Sequence, residues 1–369
     1  MEQQRSLPDF FLLIIVFLLT CFGLVAVYSA SFAIGYDKFH DANHFFYNQS
    51  KWAALGFCCL LVTMNIPYRF FRKLSPIIFF ACLAMLVLVL IPGIGIERNY
   101  AQRWLGIGEL MQFQPSELMK IAICLYFSHL LIKKQDSIED FRKAIYPVLI
   151  LMGVCVLLII KQPNFSMAVL IVLVTFTLLF VAGARIKHLL YMVVAVIPVA
   201  LVVAIMRPYR VQRLLTFLDP WEADSLVEAY QIINSLYAFG NGGITGVGFG
   251  AGLQKLFYLP EPHTDFIFSI IGEELGLIGT VSIIVLFALF FWRGIYIANR
   301  ASDPYATLLA ISLTVLTSLQ AFMNMGIAVG LLPVTGMTLP FISYGGSSLL
   351  VTLFSTGIIL NISRYGKHQ

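Results

Sequence analysis

The chain has 369 residues, of which 59% are hydrophobic and 12% charged, with a mean hydropathy of +0.88 and a formal net charge of +5. So few polar residues could not cover the surface of a soluble fold of this size. That excludes a soluble enzyme, a disordered chain and a secreted disulfide scaffold. The basic residues gather at the ends of apolar segments, where they suit a membrane protein and do not indicate a nucleic-acid partner.

Charge spacing sets the class. There are 27 uncharged residues between Asp9 and Asp37, 23 between Lys73 and Glu97, and 60 between Asp303 and Arg364. About 20 apolar residues cross a bilayer core as a helix. Continuous apolar runs, without alternation, exclude an outer-membrane barrel. The fold class expected is an all-α polytopic membrane protein of one domain, 1–369. Ten spans are predicted, at roughly 9–31, 50–66, 74–92, 114–132, 144–161, 165–183, 188–206, 266–292, 305–331 and 344–362. The first is too long for a signal-peptide core and is read as a retained helix. Fourteen lysines and arginines fall on the amino-terminal side and nine on the other, with Lys120 inside a span. The positive-inside rule makes both termini cytoplasmic. The six cysteines all sit in apolar segments and read as small buried hydrophobes.

In chain order, the first polar outer segment runs from Gly93 to Phe113 and contains Gln102-Arg103-Trp104-Leu105. A tryptophan beside an arginine suits a sugar face next to a charged group, or an interfacial anchor. The fourth span opens Gln114-Pro115-Ser116-Glu117, with Lys120 one turn further on. Glu117 and Lys120 can pair as a structural i, i+3 couple. Alternatively Lys120 is the cation at the floor of an outward cavity.

The long outer loop, 207–265, separates spans seven and eight. It opens with Arg207, Arg210 and Arg213, which could snorkel to headgroups or gather lipid phosphates in forked geometry. The run from Arg207 is expected to form a short amphipathic helix at the interface, which Asp219-Pro220-Trp221 breaks. A second starts near Asp224 or Ser225, with an apolar stripe of Leu226, Tyr230, Ile233 and Tyr237. Seven glycines follow within residues 240–252. They permit a backbone cradle for phosphates or a tight re-entrant turn. The loop closes with Leu259-Pro260-Glu261-Pro262-His263-Thr264-Asp265-Phe266. Thr264 or Asp265 is placed to cap the eighth span, and a cap at a helix amino terminus can also serve as an ionised base. His263 is a second titrating group or a surface histidine. Glu273 and Glu274 follow inside the span. One is expected to pair with Lys120 and the other to pack on polar loop residues.

These motifs, with Val27-Tyr28-Ser29-Ala30-Ser31, Glu273-Glu274-Leu275-Gly276 and Leu339-Pro340-Phe341-Ile342-Ser343-Tyr344-Gly345-Gly346-Ser347-Ser348, resemble the SEDS family of bacterial cell-wall polymerases across essentially the whole chain. Asn234-Ser235-Leu236-Tyr237-Ala238 and Tyr258 resemble its FtsW and SpoVE branch, whereas Gln102-Arg103-Trp104-Leu105 is closer to RodA. One departure stands at Asn164, where the family usually has aspartate.

The resemblance implies a peptidoglycan glycosyltransferase in the bacterial cytoplasmic membrane. It would polymerise lipid II into β-1,4 glycan on the outer face by inverting displacement, releasing undecaprenyl pyrophosphate. Asp265 matches the family's catalytic aspartate. Arg103, Trp104, Lys120, Arg210, Arg213, Glu117, Glu261, His263, Glu273 and Ser343 are the candidate substrate-binding residues. No all-protein metal cage is visible, and a divalent cation, Mg or Mn, would bind together with the substrate pyrophosphate. The implied partners are lipid II, membrane lipid and a class B penicillin-binding transpeptidase. The rival readings are a lipid II flippase, a secondary transporter and a non-catalytic scaffold for the transpeptidase.

Overall fold

The computed structural model describes residues 6–98, 101–107, 111–205, 211, 215–222 and 226–366. Its long helices are α1 (Phe10–Phe39), α2 (His44–Asn65), α3 (Tyr68–Leu88), α4 (Pro115–Lys133), α5 (Tyr146–Lys161), α6 (Phe165–Val181), α7 (Ile186–Ile205), α8 (Leu226–Gly242), α9 (Ile267–Asn299), α10 (Pro304–Ala328) and α11 (Gly346–Ser363). All ten expected helices therefore form, and α8 is the second helix expected in the outer loop. Among the described residues, seven helices are long and apolar enough to cross a membrane. α2 is not one of them, because His44, Asn48, Gln49 and Lys51 make its first two turns polar. α6 has 17 residues and falls just short of the length required.

Helix ends follow caps more closely than apolarity. Asp9 accepts from the Leu12 amide at 2.9 Å and starts α1. Asn164 starts α6, accepting from the Met167 amide at 3.3 Å. Asp303 starts α10, accepting from the Ala306 amide at 3.1 Å. Each side chain satisfies an amide that the first helical turn leaves open. α1 runs eight residues past its expected end, because the helix continues after the apolar run stops.

The segment after α3 folds into a three-stranded antiparallel sheet of β1 (Ile96–Arg98), β2 (Ala101–Ile107) and β3 (Met111–Phe113), with β2 in the middle. α4, α10 and α11 form the interior of the bundle; 67–72% of their apolar windows is buried, against 28–33% for α3, α5 and α9. α10 packs on α4, α6, α9 and α11.

The buried face of α8 differs from expectation. Tyr230 and Tyr237 are exposed, while Ala229, Ile232, Ser235 and Ala238 face inward. Small residues let α8 lie close on α9 and α10. Ser235 Oγ bonds the Ser269 hydroxyl at 2.6 Å and the Ala328 carbonyl at 2.5 Å.

Candidate functional site

Asp265 lies where the loop after α8 meets α9. The helix begins at Ile267, with Phe266 in the cap position and no side-chain cap bond. Neither Thr264 nor Asp265 is the cap that the sequence suggested. Thr264 Oγ1 instead donates to the Glu261 carboxylate at 3.0 Å. Asp265 is thereby free of the capping task. Burial is the main cause raising its pKa to about 7; Glu261 raises it further and Arg103 opposes. His263 is buried. Its pKa is lowered to about 4, first by burial and also by Lys38, against the pull of Glu261. It is therefore neutral near pH 7, packed against Phe45 and Tyr344.

The Leu339–Ser348 signature supports this junction from below. Ser343 Oγ accepts from the Leu339 amide at 2.8 Å and donates to the Thr264 carbonyl at 2.6 Å. The Tyr344 amide donates to the His263 carbonyl at 2.9 Å. Gln49 on α2 donates to the Ser343 carbonyl at 3.0 Å and accepts from the Gly345 amide at 3.2 Å. Ser343 thus braces the backbone one residue before Asp265. A Cβ at Gly336 would stand 3.3 Å from Asp265 Oδ2, so this position stays side-chain-free beside the carboxylate.

Deeper in the bundle, Lys120 Nζ pairs with Glu117 at 2.7 Å and donates to Gln320 Oε1 at 2.7 Å. All three side chains are buried. An ammonium has three donors, and two have partners here.

The expected bridge from Lys120 to Glu273 or Glu274 does not form. Glu273 accepts from the Leu253 amide at 3.0 Å and the Gln254 amide at 3.1 Å. Glu274 pairs with Lys255 and accepts from Ser29 Oγ at 2.7 Å. Adjacent residues point to different sides of a helix, and both sides of α9 here meet the preceding loop and α1, leaving α4 out of reach. The packing of one glutamate on loop residues is as expected; the Lys255 partner is not.

The glycine run is a re-entrant turn. α9 breaks at Gly276, with φ 63° and ψ −157°. The Val247 and Gly248 amides donate to the Glu273 and Glu274 carbonyls, at 3.0 and 3.1 Å. The Leu277 and Ile278 amides donate to the Gly243 and Ile244 carbonyls, at 2.9 and 3.2 Å. These four bonds splint the break, and those loop amides are used there instead of facing a phosphate.

Arg103 sits on β2 and reaches the α5–α6 corner. Its Nε donates to the Gln162 carbonyl at 2.9 Å and its Nη2 to the Pro163 carbonyl at 2.7 Å. It anchors the sheet beside Asn164 while still acting on the charge of Asp265. Trp104 lies next to it on β2, across from Ile96. Arg210 and Arg213 lie outside the described residues. Among the described residues no group of three or more His, Cys, Asp or Glu is placed to hold a metal ion.

Gln320, Asn324, Gln49 and Lys255 were not singled out from the sequence. The available signal was two amides, Gln320 and Asn324, spaced i, i+4 within the 60-residue uncharged stretch. A polar pair on one face of an apolar helix needs partners inside the protein.

The sequence pattern of the FtsW/RodA/SpoVE family, described as cell cycle proteins, matches residues 10–368. The chain is 45% identical over 355 residues to a probable peptidoglycan glycosyltransferase FtsW of Geobacter sulfurreducens, covering 96% of this chain and 95% of the relative. It is 42% identical over 368 residues to the stage V sporulation protein E of Bacillus subtilis, covering 100% of both. The fold matches a chain of a peptidoglycan synthase complex in which polymerization and crosslinking are coordinated, with TM-score 0.78 and 28% identity over 97% of this chain and 98% of that one. It also matches Thermus thermophilus RodA, a rod shape determining protein, with TM-score 0.72 and 27% identity over 98% of both chains.

Proposed function

The chain belongs to the FtsW/RodA/SpoVE family of multi-pass membrane proteins, and from that premise we propose that it is a peptidoglycan glycosyltransferase that polymerises lipid II on the outer face of the cytoplasmic membrane. The observation that carries this reading is Asp265, a carboxyl at the mouth of the bundle with a pKa raised to about 7. A general base works best when its pKa lies near the operating pH. Asp265 takes the proton of the attacking sugar hydroxyl. The hydroxyl oxygen bonds the anomeric carbon of the donor as the bond to the lipid pyrophosphate breaks. An α-linked donor then yields a β-1,4 linkage in one inverting step.

The departing pyrophosphate requires positive charge. Lys120 supplies it from the floor of the bundle, with its third donor turned to phosphate. Arg210 and Arg213 collect the lipid's phosphates at the outer surface, and Arg103 with Trp104 lines the sugar side. Glu117 holds Lys120 in place through their ion pair. Glu261 tunes Asp265, and neutral His263 with Ser343 fixes the backbone around it. Glu273 acts at a distance, through the loop that it binds.

A divalent cation, Mg or Mn, would bind together with the substrate pyrophosphate. It would add charge against the pyrophosphate. Both termini face the cytoplasm, and the outer face presents the loop to a class B penicillin-binding transpeptidase that cross-links the product.

The test is purified protein with labelled lipid II, read as glycan length on a gel. Wild type makes polymer, and Asp265→Asn loses about a hundredfold or more of the rate. A flippase needs no base, so equal activity of Asp265→Asn and wild type in lipid II translocation, with no polymer from either, would replace this reading.

A further inference from the structure

Gln320 and Asn324 stand one turn apart on α10, and each is 1% exposed. Buried amides must be bonded, so the choice of partner carries information. Gln320 accepts from Lys120 Nζ at 2.7 Å, and its Nε2 donates to the Thr338 carbonyl at 3.0 Å. Thr338 Oγ1 lies 3.3 Å from the same nitrogen. Asn324 Nδ2 donates to the Asp265 carbonyl at 2.8 Å and to the Met337 carbonyl at 2.6 Å. Met337 and Thr338 are consecutive residues between α10 and α11. Two rungs of one helix therefore tie Lys120 and Asp265 to one dipeptide. The residue before that dipeptide, Gly336, is the one beside the Asp265 carboxylate.

Interior amides often do no more than join helices. Here each amide joins a site residue to the same loop, and α10 is the rigid element between them. We propose that Gln320 and Asn324 are positioning residues that fix Lys120 and Asp265 in register across Met337–Thr338, Gln320 acting through Lys120 and Asn324 through Asp265. The inference rests on the reading of these two as leaving-group cation and base. It adds the means by which residues on α4 and at the start of α9, far apart in sequence, keep a set separation.

The experiment uses full-length purified protein and two readouts. The first is the pH midpoint of carbodiimide modification at Asp265, followed by mass spectrometry, which needs no polymerase activity. The second is kcat and KM with labelled lipid II. In Asn324→Ser the looser Asp265 gains water, and its midpoint moves from about 7 toward the ordinary value of 3.8. Glu261 and Arg103, the charged groups acting on Asp265, are unchanged in this variant. kcat falls on the order of 10–100-fold with KM unchanged, as expected for a misplaced catalytic group. Gln320→Met, close to isosteric, lowers kcat in the same way and adds no loss in a Lys120→Met background. Gln320→Glu keeps an acceptor for Lys120 but gives up the donor to Thr338, so it does not restore the rate.

An Asp265 midpoint unmoved by Asn324→Ser overturns the positioning role, whatever the activity. So does a loss of rate that only tracks the folded fraction. If Asn324→Ser does not fold, the Gln320→Met and Lys120→Met cycle decides, and additive losses there overturn the proposal. Wild-type protein that makes no glycan, while the midpoint still moves in Asn324→Ser, sinks the polymerase reading and leaves the positioning intact.

Discussion

A base that titrates near neutrality writes its pKa into the rate. Polymerisation is expected to rise with pH through an acid limb centred near 7, the value held by Asp265. Glu261 raises that value and Arg103 lowers it. Glu261→Gln should therefore move the limb to lower pH and Arg103→Gln to higher pH, in initial rates across pH 5–9. Stability carries the same groups with opposite signs. Asp265 is raised from 3.8 to about 7, so its contribution is full below about pH 4 and is lost as pH rises through 7. His263 is lowered from 6.5 to about 4, so its contribution is full above 6.5 and is lost as pH falls through 4. The two slopes oppose between about pH 4 and 6.5. In Asp265→Asn the first slope disappears, and the melting temperature in detergent should climb with pH across that window. An unchanged pH dependence in Asp265→Asn would contradict the raised pKa of this carboxyl. The sequence offered capping as an alternative duty for Asp265. The backbone decides against it, because α9 starts two residues later without a side-chain cap. Asp265→Ala should therefore not show the loss of roughly 0.5–2 kcal/mol that removing a cap costs.

At the scale of elements, the glycine run and α9 are one unit. Gly246 and Gly250 share φ +81°, but a Cβ at Gly246 runs into the Glu274 carbonyl, whereas Gly250 has open space around it. Gly250→Ala should cost only the left-handed backbone preference, about 1–2 kcal/mol. Gly246→Ala should cost more, because the loop must also leave the broken helix. Equal melting temperatures for the two variants would show that the close approach stabilises nothing. Beneath this loop, Lys255 and Glu274 form a buried pair, exposed by 1% and 3%. Removing one partner strands a buried charge, so Lys255→Met should cost about 3–5 kcal/mol. Lys255→Met combined with Glu274→Gln should recover much of it, by chemical or thermal unfolding. The run of glycines was legible in the sequence, and its use was not. Only the bonds from Val247 and Gly248 to α9 tell a splint from a phosphate cradle.

For the molecule as a whole, the asymmetry of fourteen against nine basic residues predicts an outer loop after α7 and a cytoplasmic turn after α4. Single cysteines at Ser225 and Ser137, in a cysteine-free background, should react oppositely with an impermeant thiol reagent on intact cells. Labelling of Ser137→Cys from outside would reverse the orientation. The amino-acid order establishes the membrane class, the ten helices and the loop stretch that carries Asp265. Apolar runs and charge spacing are local quantities, and they are imposed by a bilayer whose thickness is fixed. It did not determine how far helices extend, because apolarity marks the hydrocarbon and not the end of hydrogen bonding; α1 passes through Asp37 and Lys38 unbroken. Nor did it determine which polar groups meet. Lys120 and Gln320 are 200 residues apart, and Ser29 and Glu274 are 245 apart. Inside a bundle each buried polar group takes whatever partner helix packing brings within 3 Å or so. That packing is a property of the assembled interior, so the pairing of Lys255 with Glu274, of Gln320 with Lys120 and of Asn324 with the backbone of Asp265 emerges only once the helices are assembled.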